Sequence, residues 1–454
     1  MTQSLQEIRP ASAALPTPAE LEATVAQALE AAAARGASGC EAGVSSSKGL
    51  AVRVRKGEVE TLEHMRDRGL AVTVYFGQRK GSASTADLSP QAVAETVAAA
   101  CDIARHTAED PCAGLPDPEW LAREVPDLDL DHPWELPPEE AIERARACEA
   151  AALAVDSRLT NSEGAELSTH RSVRCQGNSL GFMGGYTATD HGLSCVVLGR
   201  EGDDMQRDYW YTSARDCARL EAAEAVGRRA GERTIARLGA RRLGTATVPV
   251  IYAPEVARGL LGHFVSAIRG SALYRRASFL VDSVDEQIFP EFLTLDEDPH
   301  LPAGPGSAPF DGEGVATRPR RLVDAGVLQG YLLSTYSGRK LGLPSTGNAG
   351  GVHNLLVSPG ERDFEGLLRE MGRGLVVTSL MGQGVNPVTG DYSRGASGFW
   401  VEDGAIAYPV QEITVAGNLR RMFQDIQAVG RDLDPRGTIR TGSLLIGAMT
   451  VAGE

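Results

Sequence analysis

Between Met381 and Gly404 the chain reads MGQGVNPVTGDYSRGASGFWVEDG, with glycine at 382, 384, 390, 395, 398 and 404. Glycine at that density marks a backbone that turns sharply or lets another group come close. Asp403-Gly404 stands between FWVE and AIAYPV, a strong hairpin signal. The stretch therefore predicts a glycine-rich loop that feeds a two-stranded ribbon. It also carries Gln383, Asn386, Thr389, Asp391, Tyr392, Ser393 and Arg394, polar groups able to face a ligand. Two readings stay open on these residues alone: a ligand-facing loop, and a structural loop whose glycines only satisfy turns.

The rest of the chain alternates helical and strand spacing. Pro18 opens AELEATVAQALEAAAARG, where Leu21, Val25 and Leu29 recur four apart before Gly36, the pattern of a helix with its stop signal. GLAVRVRKG and GLAVTVYFG alternate like strands, and Pro90 to His106 returns to helical spacing. A second unit repeats the plan: a helix over Glu139 to Val155, strands such as LSCVVLGR and MQRDYWYTS between Ala165 and Ser213, and a helix over Asp216 to Leu238. Past Gly244 come the strand TVPVIY, a helix over Glu255 to Ile268, a hairpin turning at Asp324 to Gly326, the strand LVVTSL, a helix near Asn418 to Val429 and the closing strand SLLIGAMTV. The fold class this predicts is α+β, with two N-terminal helix-strands-helix units and a mostly β C-terminal domain. Its expected divisions are a loose tail over 1–17, units over 18–110 and 138–243 joined by a Pro- and acid-rich connector over 111–137, and the last domain over 244–454.

Composition narrows the function. A formal charge of −15 weighs against binding to nucleic acid or an anionic membrane, which need a basic surface. The basic run from Arg228-Arg229 to Arg241-Arg242 is expected to be the solvated face of a helix. Seven scattered cysteines (Cys40, Cys101, Cys112, Cys148, Cys175, Cys195 and Cys217) form no C-x-x-C pair, the usage of a reducing compartment. No apolar run reaches about 18 residues and the N-terminus carries no basic-then-apolar signal, so a cytoplasmic location is expected.

Several common chemistries are missing. None of the eight histidines is followed by glutamate, which excludes the short zinc-hydrolase helix signature. There is no G-x-S-x-G elbow, no Walker motif, and Pro387 breaks the dinucleotide fingerprint after Gly382 and Gly384. His263 falls on the flank of the stripe formed by Val256, Leu260, Leu261, Phe264, Val265 and Ile268, the place of a half-buried histidine. His353 lies in the glycine-rich turn STGNAGGVHN, where it can serve the turn or face a pocket.

GHFVSAIRGSALYRRASFL, PFDGEGVATRPRRLVDAGVLQGYLLSTYSGRKLGL, STGNAGGVHN and the 381–404 stretch closely resemble the PmbA (TldE) branch of the TldD/PmbA family. These are bacterial proteins once called modulators of DNA gyrase and now regarded as subunits of a zinc metalloprotease. The likeness runs from about Pro18 to the C-terminus. In that family the TldD subunit carries H-E-x-x-x-H on a helix and a late cysteine as a further zinc ligand. Matched to Gly262-His263, the first histidine falls on Arg258, the glutamate on Gly259, and the cysteine on Thr441.

The resemblance implies a heterodimer with a TldD-like subunit that encloses its active site and cleaves unfolded peptides. Zinc would then sit in the partner and none in this chain, with His263 a lone remnant and no catalytic residue of this chain's own. The candidate peptide-cavity residues are His263, His353, Gln383, Asp391, Tyr392, Ser393 and Arg394. Two other classes stand beside this. One is a stand-alone metallopeptidase whose ligands would be His263, His353 and a carboxylate such as Asp391; the other is a regulatory binding protein acting on gyrase or a toxin system.

Overall fold

A computed structural model describes residues 14–453. The expected tail therefore lies outside the described residues except for Ala14 to Thr17. The N-terminal region begins with α1 (Pro18–Ala34), whose capping box holds Glu20 N–H on Thr17 Oγ1 at 3.3 Å and Thr17 N–H on Glu20 Oε2 at 2.7 Å. Strands β1 (Gly39–Arg55), β2 (Glu58–Phe76) and β3 (Arg79–Thr85) follow, then α2 (Pro90–His106), capped by Ser89. The second unit is α3 (Pro138–Leu153), β4 (Leu159–Asn178), β5 (Met183–Glu201), β6 (Asp204–Ala214) and α4 (Ala223–Ala236). Strands read from the sequence as short pieces prove far longer. GLAVRVRKG is only the second half of β1, and GLAVTVYFG only the second half of β2.

The two units share one antiparallel sheet in the order β3-β2-β1-β4-β5-β6, joined where β1 pairs β4 from Glu41 to Val54. All four helices cover the same face, and they do so in pairs over two separate cores. Beneath α1 and α2, Cys40, Ala42 and Val44 of β1 meet Val173 and Cys175 of β4. Beneath α3 and α4, Leu50, Val52 and Val54 of β1 meet Ala165 and Leu167 of β4. Between those cores the same inward alternation is polar: Ser46 and Lys48 on β1, Thr169 and Arg171 on β4. The stretch 111–137 is not a bare linker, since Leu121, Leu128, Leu130 and Leu136 are buried and Leu121 bridges to Val315 of the C-terminal region.

The C-terminal region is built from β7 (Ala246–Tyr252), α5 (Pro254–Ala267), α6 (Gly270–Leu273), β8 (Leu295–Asp298), β9 (Arg320–Asp324), β10 (Val327–Leu328) and α7 (Thr335–Leu341). After these come β11 (Asn354–Val357), α8 (Phe364–Met371), β12 (Gly374–Met381), β13 (Asp391–Glu402), β14 (Ala405–Asn418), α9 (Leu419–Gln424), β15 (Ile426–Val429), β16 (Ile439–Arg440) and β17 (Leu444–Ala452). One sheet runs β10-β9-β8-β11-β16. The other runs β14-β13-β12-β7-β17-β15, and β14 also pairs β17, so five of its strands close into a ring. The expected hairpins form, with Asp403 and Gly404 both at positive φ (51° and 73°), the geometry of a tight primed turn. The helix expected near Asn418 to Val429 stops at Gln424; Ile426 to Val429 is instead β15, drawn into the sheet by pairing with β17. Among the described residues no helix is long and apolar enough to cross a membrane.

Of the basic run, Arg228, Arg229, Arg241 and Arg242 are exposed as expected, while Arg233 and Arg237 are drawn inward. Arg233 of α4 bonds Glu255 of α5 at 2.5 Å and stands 3.5 Å from Asp208, and Arg237 bonds Ser397 at 2.9 Å. These arginines hold the N-terminal sheet to the C-terminal region. All seven cysteines are free, and Cys40, Cys101, Cys148, Cys175 and Cys195 are packed as small hydrophobes.

Candidate functional site

Helix α5 packs against β12 and β16. It begins at Pro254, whose missing N–H suits a first turn, and buries Ala257, Leu260, Leu261, Phe264 and Val265. That leaves His263 half-buried on the flank, as its spacing predicts. Its ring meets Tyr392 edge-on, with centroids 6.0 Å apart. Burial, and then the Arg394 guanidinium, lower the His263 pKa and favour a neutral imidazole. Tyr392 is itself 2% exposed; its hydroxyl stands beside that of Tyr252, outside hydrogen-bonding geometry, and burial raises its pKa.

Strand alternation sorts the remaining candidates. Tyr392 and Arg394 share one face of β13, toward His263, whereas Asp391 and Ser393 point the other way. Asp391 accepts from Thr389 Oγ1 at 2.6 Å and from Asn418 Nδ2 at 3.3 Å, and these bonds lower its pKa. Gln383 is exposed on the loop. His353 is placed elsewhere: its ring nitrogens lie 3.3 Å from Gly306 O and 3.1 Å from Gly347 O, so it braces the glycine turn. The structure thus brings together His263, Tyr392 and Arg394, turns Asp391 and Ser393 to the other face of β13, leaves Gln383 exposed on the adjoining loop and places His353 elsewhere.

The glycine loop has a structural account of its own. Asn386 N–H donates to Asp391 O at 2.8 Å and Ser393 N–H to Gly384 O at 2.7 Å, so the loop folds back on the start of β13. A Cβ on Gly384 would stand 2.0 Å from Ser393 O, and one on Gly398 1.8 Å from Val376 O. Both glycines are demanded by neighbouring backbone, with no ligand needed to explain them.

Arg258, at the first matched position, stands beside a carboxylate that sequence reasoning did not single out. Arg258 Nη1 donates to Tyr211 Oη at 2.7 Å and to Arg436 O at 3.2 Å, and lies 3.9 Å from Asp434. Asp434 receives Arg436 through two further bonds of 2.8 and 3.0 Å, and its backbone N–H donates to Thr441 O at 3.1 Å. Arg436 in turn covers one side of the Trp210 ring at 3.9 Å, with Arg229 at 3.9 Å as well. The D-x-R spacing of Asp434 and Arg436 was the available signal. Thr441 is fully buried, its hydroxyl on Gly442 O.

A catalytic zinc takes about three protein ligands. Here a guanidinium, a glycine and a threonine stand at the matched positions, and only His263 could donate to a metal. Among the described residues no group of three or more His, Cys, Asp or Glu stands together in a way that could hold a metal ion. The residues present do not fit zinc, and the alternative set of His263, His353 and Asp391 is not assembled.

Sequence profiles of the PmbA/TldA metallopeptidase family match the chain in three consecutive parts: domain 1 over 40–104, the central domain over 131–238 and the C-terminal domain over 245–453. The chain is 52% identical to Metalloprotease PmbA of Escherichia coli O157:H7, over 96% of both chains. It is 46% identical to a Metalloprotease PmbA homolog of Haemophilus influenzae, again over 96% of both. A crystal structure of a proposed modulator of DNA gyrase from Bacteroides thetaiotaomicron superposes with a TM-score of 0.91 at 30% identity, covering 96% of this chain and 99% of that one. TldE from Thermococcus kodakarensis shares the fold, with a TM-score of 0.85 at 23% identity over 95% of this chain and 100% of that one.

Proposed function

The chain belongs to the PmbA/TldD metallopeptidase family, and from that premise we propose that it acts as the subunit without metal in a two-chain zinc protease, its partner a TldD-like chain and its substrates unfolded peptides. The observation that carries this reading is the arginine at the first matched ligand position. Arg258 is committed to Asp434, Tyr211 and the Arg436 carbonyl, so the place where the family resemblance puts a metal ligand is filled by a positive charge already bonded within the chain.

This chain's own contribution would then be shape and contact. His263 and Arg394, with the exposed loop 382–389, offer one neutral and one cationic hydrogen-bonding group beside exposed main chain, which suits an extended peptide of varied sequence. Zinc, held by the partner, would supply the activated water; no residue of this chain takes part in that step.

The test is co-expression with the TldD-like protein of the same genome, followed by cleavage of an unfolded peptide with and without a chelator. Turnover is expected from the pair alone and only with metal. Stoichiometric zinc in the purified single chain, or chelator-sensitive cleavage by it, overturns the reading.

A further inference from the structure

The polar break between the two cores of the N-terminal sheet is an open trough. Two adjoining cavities of about 390 and 650 Å³ occupy it and share Arg66 in their walls. Lys48 of β1 stands directly opposite Arg66 of β2 on one side and Arg171 of β4 on the other. Three cations therefore lie side by side across three neighbouring strands, on the face that elsewhere is apolar. Like charges directly opposite one another destabilise a sheet, so the row needs an answer. Arg171 has one, a two-bond pair with Asp131 at 2.8 and 2.6 Å. Lys48 reaches only the exposed Glu135 at 3.3 Å. Arg66 has no ion pair or hydrogen bond among the described residues, and Arg68, two residues on, has only the field of Asp87.

Beside the cations the trough is lined by polar and apolar groups together. The next row across the sheet runs His64, Leu50, Thr169 and His191, and Trp134 and Leu136 complete the wall. His191 is fully buried, with its nitrogens fixed on Thr169 Oγ1 at 2.8 Å and His132 O at 2.9 Å, and Trp134 packs edge-on against it. The wall is thus built to hold its shape. The cleft at Trp210 is also roomy, but its central cations Arg233 and Arg436 are already held by Asp208, Glu255 and Asp434.

We propose that this trough binds a small amphipathic organic anion, its carboxylate or phosphate head on Arg66 and Lys48 and its apolar body on Leu50, Trp134 and Leu136. A cavity of about 390 Å³ is of the size that encloses a small organic ligand, and unpaired guanidinium is the group suited to either head. The site lies on the N-terminal sheet, apart from α5, and does not depend on the peptidase reading.

The experiment titrates the purified full chain calorimetrically with 4-phenylbutyrate, with phenyl phosphate and, as the uncharged control, with 4-phenylbutanol. Binding of one or both anions is expected, with the stronger identifying the head group and the alcohol weaker by roughly tenfold or more, the loss of a charge-assisted contact. The double variant K48E/R66E should lose anion binding; R66Q, which removes a charge without adding one, should weaken it by a comparable factor and guards against misfolding of the double variant. Absence of binding to the wild type, equal binding of the alcohol, or unchanged affinity in R66Q overturns the proposal.

Discussion

Around α5, the cations Arg258 and Arg436 close on Asp434, a carboxylate that is 5% exposed, and the tyrosine and tryptophan beside them pack the group shut. Across the N-terminal sheet, Arg66, Lys48 and Arg171 stand in a row, and the first of them has no ion pair or hydrogen bond among the described residues. The two regions hold the same residue types in opposite states. Where charge is answered internally it welds elements together, joining α5, the segment before β16 and the β6 strand. Where it is left unanswered beside a cavity, the fold carries a cost that an external anion would relieve.

The largest test of that contrast is D434A. Removing the shared carboxylate leaves two guanidinium groups in a mostly buried setting, and the expected loss is about 3–5 kcal/mol, read as a lower midpoint in thermal or urea unfolding. A loss below about 1 kcal/mol would mean that the cluster behaves as a surface pair. R66Q should act in the reverse direction, raising stability by about 0.2–1 kcal/mol as it relieves the like-charge row. A clear destabilisation would show that Arg66 is satisfied in a way the row does not suggest.

The smallest effect lies at His263, which faces an arginine without a carboxylate beside it. Because burial and then Arg394 lower its pKa below 6.5, the unfolded imidazole takes up a proton at a pH where the folded one does not. Stability should therefore be full above about pH 6.5 and fall as the pH drops through the lowered folded value, and H263Q should lack that part of the fall. Urea unfolding at a series of pH values checks this; identical pH slopes in the two proteins would contradict it.

Much of the fold was legible because its signals are local. Ser89-Pro90 and the four-residue spacing that follows define α2, and Asp403-Gly404 defines its hairpin, from contacts within a few residues. The first half of β2, Glu58 to Arg68, was not legible: it is exposed on both faces, so it has no apolar alternation to read, and pairing with β1 alone makes it a strand. Likewise Ile426 to Val429 has helical spacing that pairing with β17 overrides. At the candidate site, the flank position of His263 followed from its helix. The separation of Asp391 and Ser393 from Tyr392 required knowing that β13 begins at Asp391 and not after the loop. Cross-strand neighbours such as Lys48, Arg66 and Arg171 are set by register, which no single segment encodes.

The seam between β1 and β4 also settles how the molecule can be divided. A chain severed within 111–137 would not yield two tidy halves. Each fragment would bare a long row of unpaired amides and carbonyls from Glu41 to Val54 or from Ala165 to Asn178, the kind of margin on which separate molecules zip together into aggregates. Limited proteolysis at that stretch should therefore produce nicked but associated fragments, and any scheme for expressing the first unit by itself must supply a substitute strand.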